Sequence, residues 1–252
     1  MRAIVFSLSL CLLAVPAFAQ SEQPAASPPA DSTTPPASDT AAPPPAQAPA
    51  DQAPAAAPAP APVAANPPMT GPKILISTAM GDITVQLDSQ RAPKSVANVL
   101  RYVRDHHYNG TVFYRVVKGF VDQMGSFDAK GQGRGIFPGP VPLEADNGLK
   151  NVRGAVALAH GDDPNSAAAD FFIDVADLPS LDKSDTSVGY AVFGQVVDGM
   201  DVVDAINQVP VGDNGPMKGE APVDPILIEK VSIVGEPDVA PKAAAPAKRK
   251  KK

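Results

Sequence analysis

The sequence predicts a mainly β domain, a closed or nearly closed antiparallel barrel with two α-helices. Several short apolar runs are separated by clusters of Gly, Pro, Asn and Asp, a spacing typical of antiparallel barrels. Two other segments place apolar residues at helical spacing. Of the 252 residues, 30 are proline, and the first quarter is rich in alanine and proline. We therefore expect one modest domain rather than two.

Residues 1–19 have the pattern of a secretory signal peptide. One positive residue, Arg2, precedes an apolar run from Ala3 to Val15, and Ala17-Phe18-Ala19 matches an Ala-x-Ala cleavage site. The apolar run is shorter than the roughly 20 residues that a membrane-spanning helix needs. We therefore expect a periplasmic protein whose mature N-terminus is Gln20.

Segments of biased composition flank the predicted domain on both sides. Residues 20–72 are mostly Ala, Pro, Ser and Thr without hydrophobic periodicity, which predicts a disordered linker because such a chain cannot bury enough apolar surface. The linker is a spacer, a ligand for a Pro-binding partner or an inert tail. Residues 235–252 return to Pro and Ala and end in a basic run. This disordered tail is either a solvated terminus or makes weak contact with anionic envelope surfaces.

The first elements of the domain are a hairpin and a helix. Lys73–Thr78 and Asp82–Leu87 alternate apolar and polar residues on either side of a turn at Gly81, which predicts two paired strands. A helix is predicted from Pro93 to about His106, because proline suits a helix start and apolar residues then recur at helical spacing.

The central stretch, Phe113–Phe127, combines aromatic residues with one arginine and one glutamine. Its residue types favour two strand-like runs separated at Gly119. With strict alternation Phe113, Arg115 and Val117 share one face. Arg115 then lies at the edge of an apolar patch, where its guanidinium offers a fixed fork of donors to a carbonyl or carboxylate. The alternative is an arginine that only covers the barrel edge.

The rest of the domain continues the mixture of short strands and a helix. Strands are predicted at Val141–Leu143, Ala155–Ala159, Phe171–Val175, Tyr190–Val197 and Ile226–Val234, with a second helix at Met200–Val209. The net charge of −6 argues against a nucleic-acid partner, since phosphate contacts need a basic face. Three scattered histidines and one cysteine show no metal-ligand spacing, so we expect neither metal nor cofactor.

The central stretch resembles the signature of the cyclophilin family of peptidyl-prolyl isomerases, Phe-His-Arg-Val-Ile-x-Gly-Phe-x-x-Gln-Gly-Gly. The matching positions are Phe113, Arg115, Val116, Gly119, Phe120, Gln123 and Gly125. Further motifs follow in the family's order: Asn147-Gly-Leu, Arg153-Gly154-x-x-Ala157-x-Ala159, Phe171-Phe172-Ile173, Leu181-Asp182, Gly189–Val196 and Gly199-Met-Asp-Val202. The resemblance covers most of residues 73–234. It implies an eight-stranded antiparallel barrel closed by a helix at each end.

The resemblance also implies a function, a peptidyl-prolyl cis-trans isomerase that acts as a monomer on unfolded or folding proteins with X-Pro bonds. Arg115 would stabilise the twisted amide, Gln123 would position the substrate backbone, and Phe120 would contact the proline ring. The remaining implied substrate-binding residues are Val121, Ala159, His160, Asp170, Phe172, Leu181 and Tyr190. The competing interpretation is a weakly active or non-catalytic Pro-peptide binding module or holdase in the cell envelope. A third is a spacer protein in which the Pro-rich segment is the functional part.

The sequence departs from the family pattern at several positions near the implied site. His160 stands where asparagine is common, and Tyr190 stands where many members have histidine, although bacterial members also use tyrosine there. Asp170 stands where glutamine is usual, and Ser180 stands where an aromatic residue is usual. By strand alternation Asp170 and Phe172 share a face. We therefore expect the Asp170 carboxylate to attract Arg115 and to compete with a substrate carbonyl for its guanidinium.

Overall fold

The computed structural model describes residues 65–136, 139–213 and 215–238. The predicted signal peptide, the predicted linker up to residue 64 and the tail beyond residue 238 lie outside the described residues. Within the described ranges, no helix is both long enough and apolar enough to cross a membrane.

The described residues form a closed barrel with two α-helices. The strands are β1 (Lys73–Thr78), β2 (Gly81–Leu87), β3 (Thr111–Val117), β4 (Val121–Asp128), β5 (Ala155–Leu158), β6 (Phe171–Asp174), β7 (Ala191–Asp198), β8 (Val211–Gly212), β9 (Ala221–Pro222) and β10 (Ile226–Ile233); the helices are α1 (Pro93–Arg104) and α2 (Met200–Asn207). Eight strands close in the order β1-β10-β3-β4-β6-β5-β7-β2, while β8 and β9 pair separately. The predicted eight-stranded barrel with two helices is confirmed.

The predicted strand at Val141–Leu143 is wrong, because this segment has no strand structure. Pro140 and Pro142 flank Val141 and lack the N–H groups that a strand ladder needs. The Val141 amide donates to Ala167 at 2.8 Å without starting a ladder.

The first helix ends at Arg104, two residues before the predicted end near His106. His106 has a φ of 54°, and its amide donates to the carbonyl of Val103 at 3.0 Å. A left-handed residue at this position stops the helix and lets its last carbonyls find partners.

A β-bulge in β3 changes which side chains face the core. The pairing with β4 shifts register between Phe113 and Arg115, so Phe113 and Val116 both point into the barrel, each only 1% exposed. The prediction that Phe113 and Arg115 share a face is therefore wrong, since a bulge inserts one residue into the alternation. Arg115 lies on the outer surface, with its side chain 25% exposed.

Apolar side chains cover both faces of the sheet formed by β4, β6, β5 and β7. Phe171 and Ile173 point into the barrel, whereas Phe172 points to the outer face. We call the buried residues of that face the outer cluster: Val121, Leu149, Val152, Ala155, Ala157, Phe172, Leu178 and Val192. All residues of β5 and β6 are buried, as are the first residues of β4 and β7. The outer cluster therefore supports the surface that lies above it.

Residues 65–72, the last part of the predicted linker, lie against the domain without forming a helix or strand. The Asn66 side chain pairs with the backbone of Lys150, donating to its carbonyl at 2.9 Å and accepting from its amide at 2.7 Å. Met69 packs against the outer cluster, and the Pro72 carbonyl accepts a hydrogen bond from β2. Contacts with the barrel thus begin several residues before Lys73.

Asn207, the last residue of α2, fixes the turn between β3 and β4. Its side-chain oxygen accepts from the Gly119 amide at 2.8 Å. Its side-chain nitrogen donates to the Val117 carbonyl at 3.1 Å and to Asp122 Oδ1 at 2.7 Å. Gly119 has a φ of 69°, a left-handed conformation that glycine adopts readily. This clamp sets the position of Phe120, the next residue.

Replacing Asn207 by alanine is expected to lower the free energy of unfolding by roughly 1–3 kcal/mol, the cost of leaving buried polar groups without partners. The change leaves Asp122, whose pKa is raised to about 7 by burial, without its amide partner. Urea denaturation measures the loss. The control Asn165→Ala removes the contact of an exposed side chain with the Leu143 amide, and it should cost less. An equal loss of unfolding free energy in the two variants would contradict the stabilising role of Asn207 at this turn.

Candidate active site

An open groove on the outer surface of the barrel brings together nine of the ten predicted site residues. It is lined by Arg115, Phe120, Val121, Gln123, Ala159, His160, Phe172, Leu181 and Tyr190, together with Met217. The tenth, Asp170, lies in an adjoining hollow that shares Gln123, Ala159 and His160 with the groove. Residues from five separate parts of the chain thus meet at one surface.

One end of the groove is apolar. Val121 and Phe172 belong to the outer cluster and are 2% and 4% exposed, and Phe120 and Leu181 pack against that cluster. Tyr190 meets Phe172 edge to face, with ring centroids 5.3 Å apart. This part of the groove therefore offers a shaped apolar surface to an apolar group of a ligand.

Arg115 is held at two points beside this apolar surface. Its Nε donates to Glu220 Oε2 at 2.5 Å, and one terminal nitrogen donates to Gln123 Oε1 at 3.3 Å. A guanidinium carries five N–H groups, so these two contacts leave donors for a ligand in the groove. The guanidinium is therefore held in place while some of its N–H groups remain available to a ligand.

Gln123 connects Arg115 to the buried hydroxyl of Tyr114, which lies near Asp170. Its Nε2 donates to the Tyr114 hydroxyl at 2.5 Å, and this fixes the amide orientation with its oxygen towards Arg115. Burial, and secondly the charge of nearby Asp170, raise the pKa of Tyr114 well above its usual value. Tyr114 therefore stays neutral and serves as a fixed hydrogen-bond partner.

Asp170 does not pair with Arg115, and the predicted partner is wrong. Its carboxylate accepts from the Ser126 amide and the Ser126 hydroxyl, both at 2.9 Å. Gly125 permits this approach, because a Cβ there would lie 2.6 Å from Asp170 Oδ1. Burial raises the pKa of Asp170, although the bonds from Ser126 oppose that rise. Arg115 pairs instead with Glu220.

His160 and Tyr190 form the polar end of the groove. Their rings stack with centroids 4.5 Å apart and planes 22° apart. The ring nitrogens of His160 lie 2.8 Å from the Gly161 carbonyl and 3.0 Å from the Gly189 carbonyl. These contacts hold the imidazole across the end of the groove. Among the described residues, no group of three or more His, Cys, Asp or Glu side chains could hold a metal ion.

Sequence reasoning missed Met217 and Glu220. Both lie in the loop between the two-residue strands β8 and β9, where neither periodicity nor a motif singles out any side chain. The Glu220 carbonyl accepts a hydrogen bond from the Val116 amide at 2.7 Å, which brings the loop to β3. Long-range contacts of this kind, rather than a local sequence pattern, show that the loop completes the site.

Comparisons with known proteins match the same part of the chain. Residues 73–233 match the family model described as cyclophilin type peptidyl-prolyl cis-trans isomerase/CLD. Peptidyl-prolyl cis-trans isomerase A of Dickeya dadantii is 44% identical over 165 residues, covering 66% of this chain and 86% of that protein. Peptidyl-prolyl cis-trans isomerase B of Escherichia coli is 42% identical over 163 residues, covering 64% of this chain and 97% of that protein.

Solved structures agree with this match. A cyclophilin type peptidyl-prolyl cis-trans isomerase of Cryptosporidium parvum, crystallised in the presence of the dipeptide Ala-Pro, is similar with a TM-score of 0.55 and 27% identity. The similarity covers 65% of this chain and 99% of that chain. The barrel, the family model and the relatives all coincide over the same residues. This chain therefore belongs to the cyclophilin-type peptidyl-prolyl cis-trans isomerase family.

Proposed function

We propose that this enzyme accelerates the isomerisation of X-Pro peptide bonds in exported proteins, with Arg115 as the donor that stabilises the twisted amide. The observation that carries the proposal is the position of the Arg115 guanidinium, anchored by Glu220 and Gln123 beside the apolar side chains of Phe120 and Phe172. The names of the bacterial relatives support the reaction class.

The reaction needs no nucleophile and no cofactor. A peptide bond resists rotation by roughly 18–20 kcal/mol, and X-Pro isomers interconvert over tens of seconds or longer. At the top of this barrier the amide nitrogen has lost its resonance and become pyramidal. An enzyme therefore accelerates the rotation by gripping the ring and by donating to the twisted amide more strongly than to the planar one.

The groove has an apolar part that binds the proline ring and a polar part that donates to the twisted amide. The proline ring lies on Val121 between Phe120, Phe172 and Leu181, where burial of the ring supplies binding energy. The free donors of Arg115 point to the twisted amide, and the pre-anchored fork avoids the cost of ordering it during the reaction.

The residues beyond the proline pocket contact the flanking parts of the substrate. Gln123, whose amide is oriented by Tyr114, positions the substrate backbone. Ala159, His160 and Tyr190 line the end of the groove and receive the residues that neighbour the proline. Asp170 lies in the adjoining hollow beside Tyr114 and affects substrate binding through Tyr114, the hydrogen-bond partner of Gln123.

An isomerisation assay on an Ala-Pro peptide with the full chain tests the proposal. Exchange between the cis and trans peptide, followed by NMR, should accelerate in proportion to the enzyme concentration. Peptide binding without acceleration would favour the non-catalytic binding module or holdase. A chain with neither peptide affinity nor acceleration would favour the spacer interpretation.

Export is proposed on the pattern of residues 1–19, which combines a short apolar run with an Ala-x-Ala site. Clients would then be folding proteins of the periplasm. N-terminal sequencing of the protein from its native cells should find Gln20 as the first residue. Retention of Met1 on a cytosolic protein would contradict export and would leave the reaction itself unaffected.

A further inference from the structure

The geometry points to Glu220 as a positioning residue that holds Arg115 in its working orientation, an assignment that rests on the proposed role of Arg115. Glu220 lies outside the central motif and reaches the site from the loop between β8 and β9. Its carboxylate oxygen lies 2.5 Å from Arg115 Nε. Hydrogen bonds between opposite charges are among the stronger ones in proteins.

Glu220 is itself fixed to the strand that carries Arg115. Its backbone carbonyl accepts from the amide of Val116, the residue after Arg115, at 2.7 Å, and its own amide donates to the Met217 carbonyl at 3.2 Å. The carboxylate and the guanidinium therefore start from adjacent backbone positions. The ion pair and the backbone hydrogen bond thus join Glu220 both to Arg115 and to the next residue of β3.

The effect of Glu220 on ligand binding by Arg115 depends on which nitrogen of the guanidinium it contacts. Glu220 accepts a hydrogen bond from Arg115 Nε, and Gln123 accepts one from a terminal nitrogen of Arg115. The guanidinium is therefore held at two of its three nitrogens. The remaining N–H groups belong to the terminal nitrogens, the part that reaches furthest from the backbone. Glu220 therefore orients the donors of Arg115 without occupying those that face a ligand.

The Glu220–Arg115 ion pair should affect rate rather than stability. The two side chains are 36% and 25% exposed, and ion pairs with this access to solvent contribute little to folding. Pre-orientation of a donor, in contrast, acts on the reaction barrier, and each tenfold change in rate corresponds to about 1.4 kcal/mol. Removing Glu220, which only orients Arg115, is therefore expected to lower the rate less than removing Arg115 itself.

The first experiment compares kcat/KM of Glu220 variants on an Ala-Pro peptide. Glu220→Ala should lower kcat/KM about 10-fold, whereas Glu220→Gln, which keeps an acceptor oxygen, should lower it less. The peptide Kd, measured by NMR titration, and the Tm should stay unchanged. Glu236→Ala is the matched control, because it breaks a second arginine–glutamate pair, with Arg104 at 2.8 Å, and should leave kcat/KM unchanged.

A double-mutant cycle separates positioning from simple packing of the loop. If Glu220 acts through Arg115, then Glu220→Ala should cause no further loss in an Arg115→Ala background. An additive loss would show that Glu220 only supports the loop and would overturn the inference. Unchanged or raised kcat/KM in Glu220→Ala would also overturn it. Wild-type activity in Arg115→Ala alone would instead overturn the proposed role of Arg115.

Discussion

Replacing Arg115 by alanine is expected to lower kcat/KM by about 10²–10³, the usual cost of removing one preorganised donor to a transition state. The loss should appear without unfolding, because the side chain is 25% exposed and its ion pair with Glu220 lies at the surface. Kinetic measurements on an Ala-Pro peptide, combined with thermal denaturation, check both parts of the expectation.

Two further variants sharpen this measurement. Arg104→Ala removes an arginine that also pairs with a glutamate but lies outside the groove, so it should retain full activity. Arg115→Lys keeps the charge and loses the planar fork that contacts Glu220 and Gln123, so it should recover little of the rate. A folded Arg115→Ala variant with near wild-type kcat/KM would rule out the arginine mechanism.

Replacing Asp174 by asparagine is expected to stabilise the protein, and increasingly so as the pH rises. Asp174 ends β6 with 0% exposure, and neither carboxyl oxygen has a hydrogen-bond partner within the described residues. Burial, and secondly the charge of Asp182, raise the pKa of Asp174 to about 9. The folded protein therefore carries a neutral carboxyl group at neutral pH.

The sign of the pH dependence follows from this shift. Between the ordinary value of 3.8 and the folded value of about 9, the folded state keeps a proton that the unfolded state releases. Stability consequently falls with rising pH over this window, by up to about 1.4 kcal/mol per unit. Asparagine resembles the protonated carboxyl group in shape, so Asp174→Asn should be nearly neutral at pH 4 and gain several kcal/mol by pH 8.

Urea denaturation of the wild type and Asp174→Asn at several pH values measures this difference. Asp122, with a pKa of about 7, adds a slope of the same sign at lower pH in both proteins, and it cancels in the comparison. Asp185→Asn changes an exposed carboxylate and should give a difference that is small at every pH. A constant difference between Asp174→Asn and the wild type would show that Asp174 does not titrate in this window.

Much of the site could be predicted because its residues belong to motifs that are local in sequence. Arg115, Phe120 and Gln123 lie within nine positions of one another on β3, β4 and the turn between them. The alternation of Phe171 and Phe172 likewise follows from the period of a regular strand. Such information needs no knowledge of distant contacts, and the groove contains these residues as expected.

The remainder depends on contacts between distant parts of the chain. The bulge between Phe113 and Arg115 could not be predicted, because a run of β-branched and aromatic residues contains no local sequence pattern that marks a bulge. Strand alternation places Asp170 on the face of Phe172 and so predicts it as the partner of Arg115. The loop that carries Glu220 shows no pattern that would offer a second carboxylate. The choice between two carboxylates is made by the folded backbone, which ties Glu220 to Val116 and Asp170 to Ser126.

The burial of β5 and β6 on both faces, together with the outer cluster, limits how this enzyme can evolve. Substitution of Phe172 or Val121 would alter the proposed proline pocket and the packing of the outer cluster together. A change of specificity there would therefore be selected against through folding. Met217 and Glu220 lie on a loop that borders the groove and contributes little to the core. Adaptation to new clients is therefore expected to accumulate in this loop, while the pocket floor stays the same.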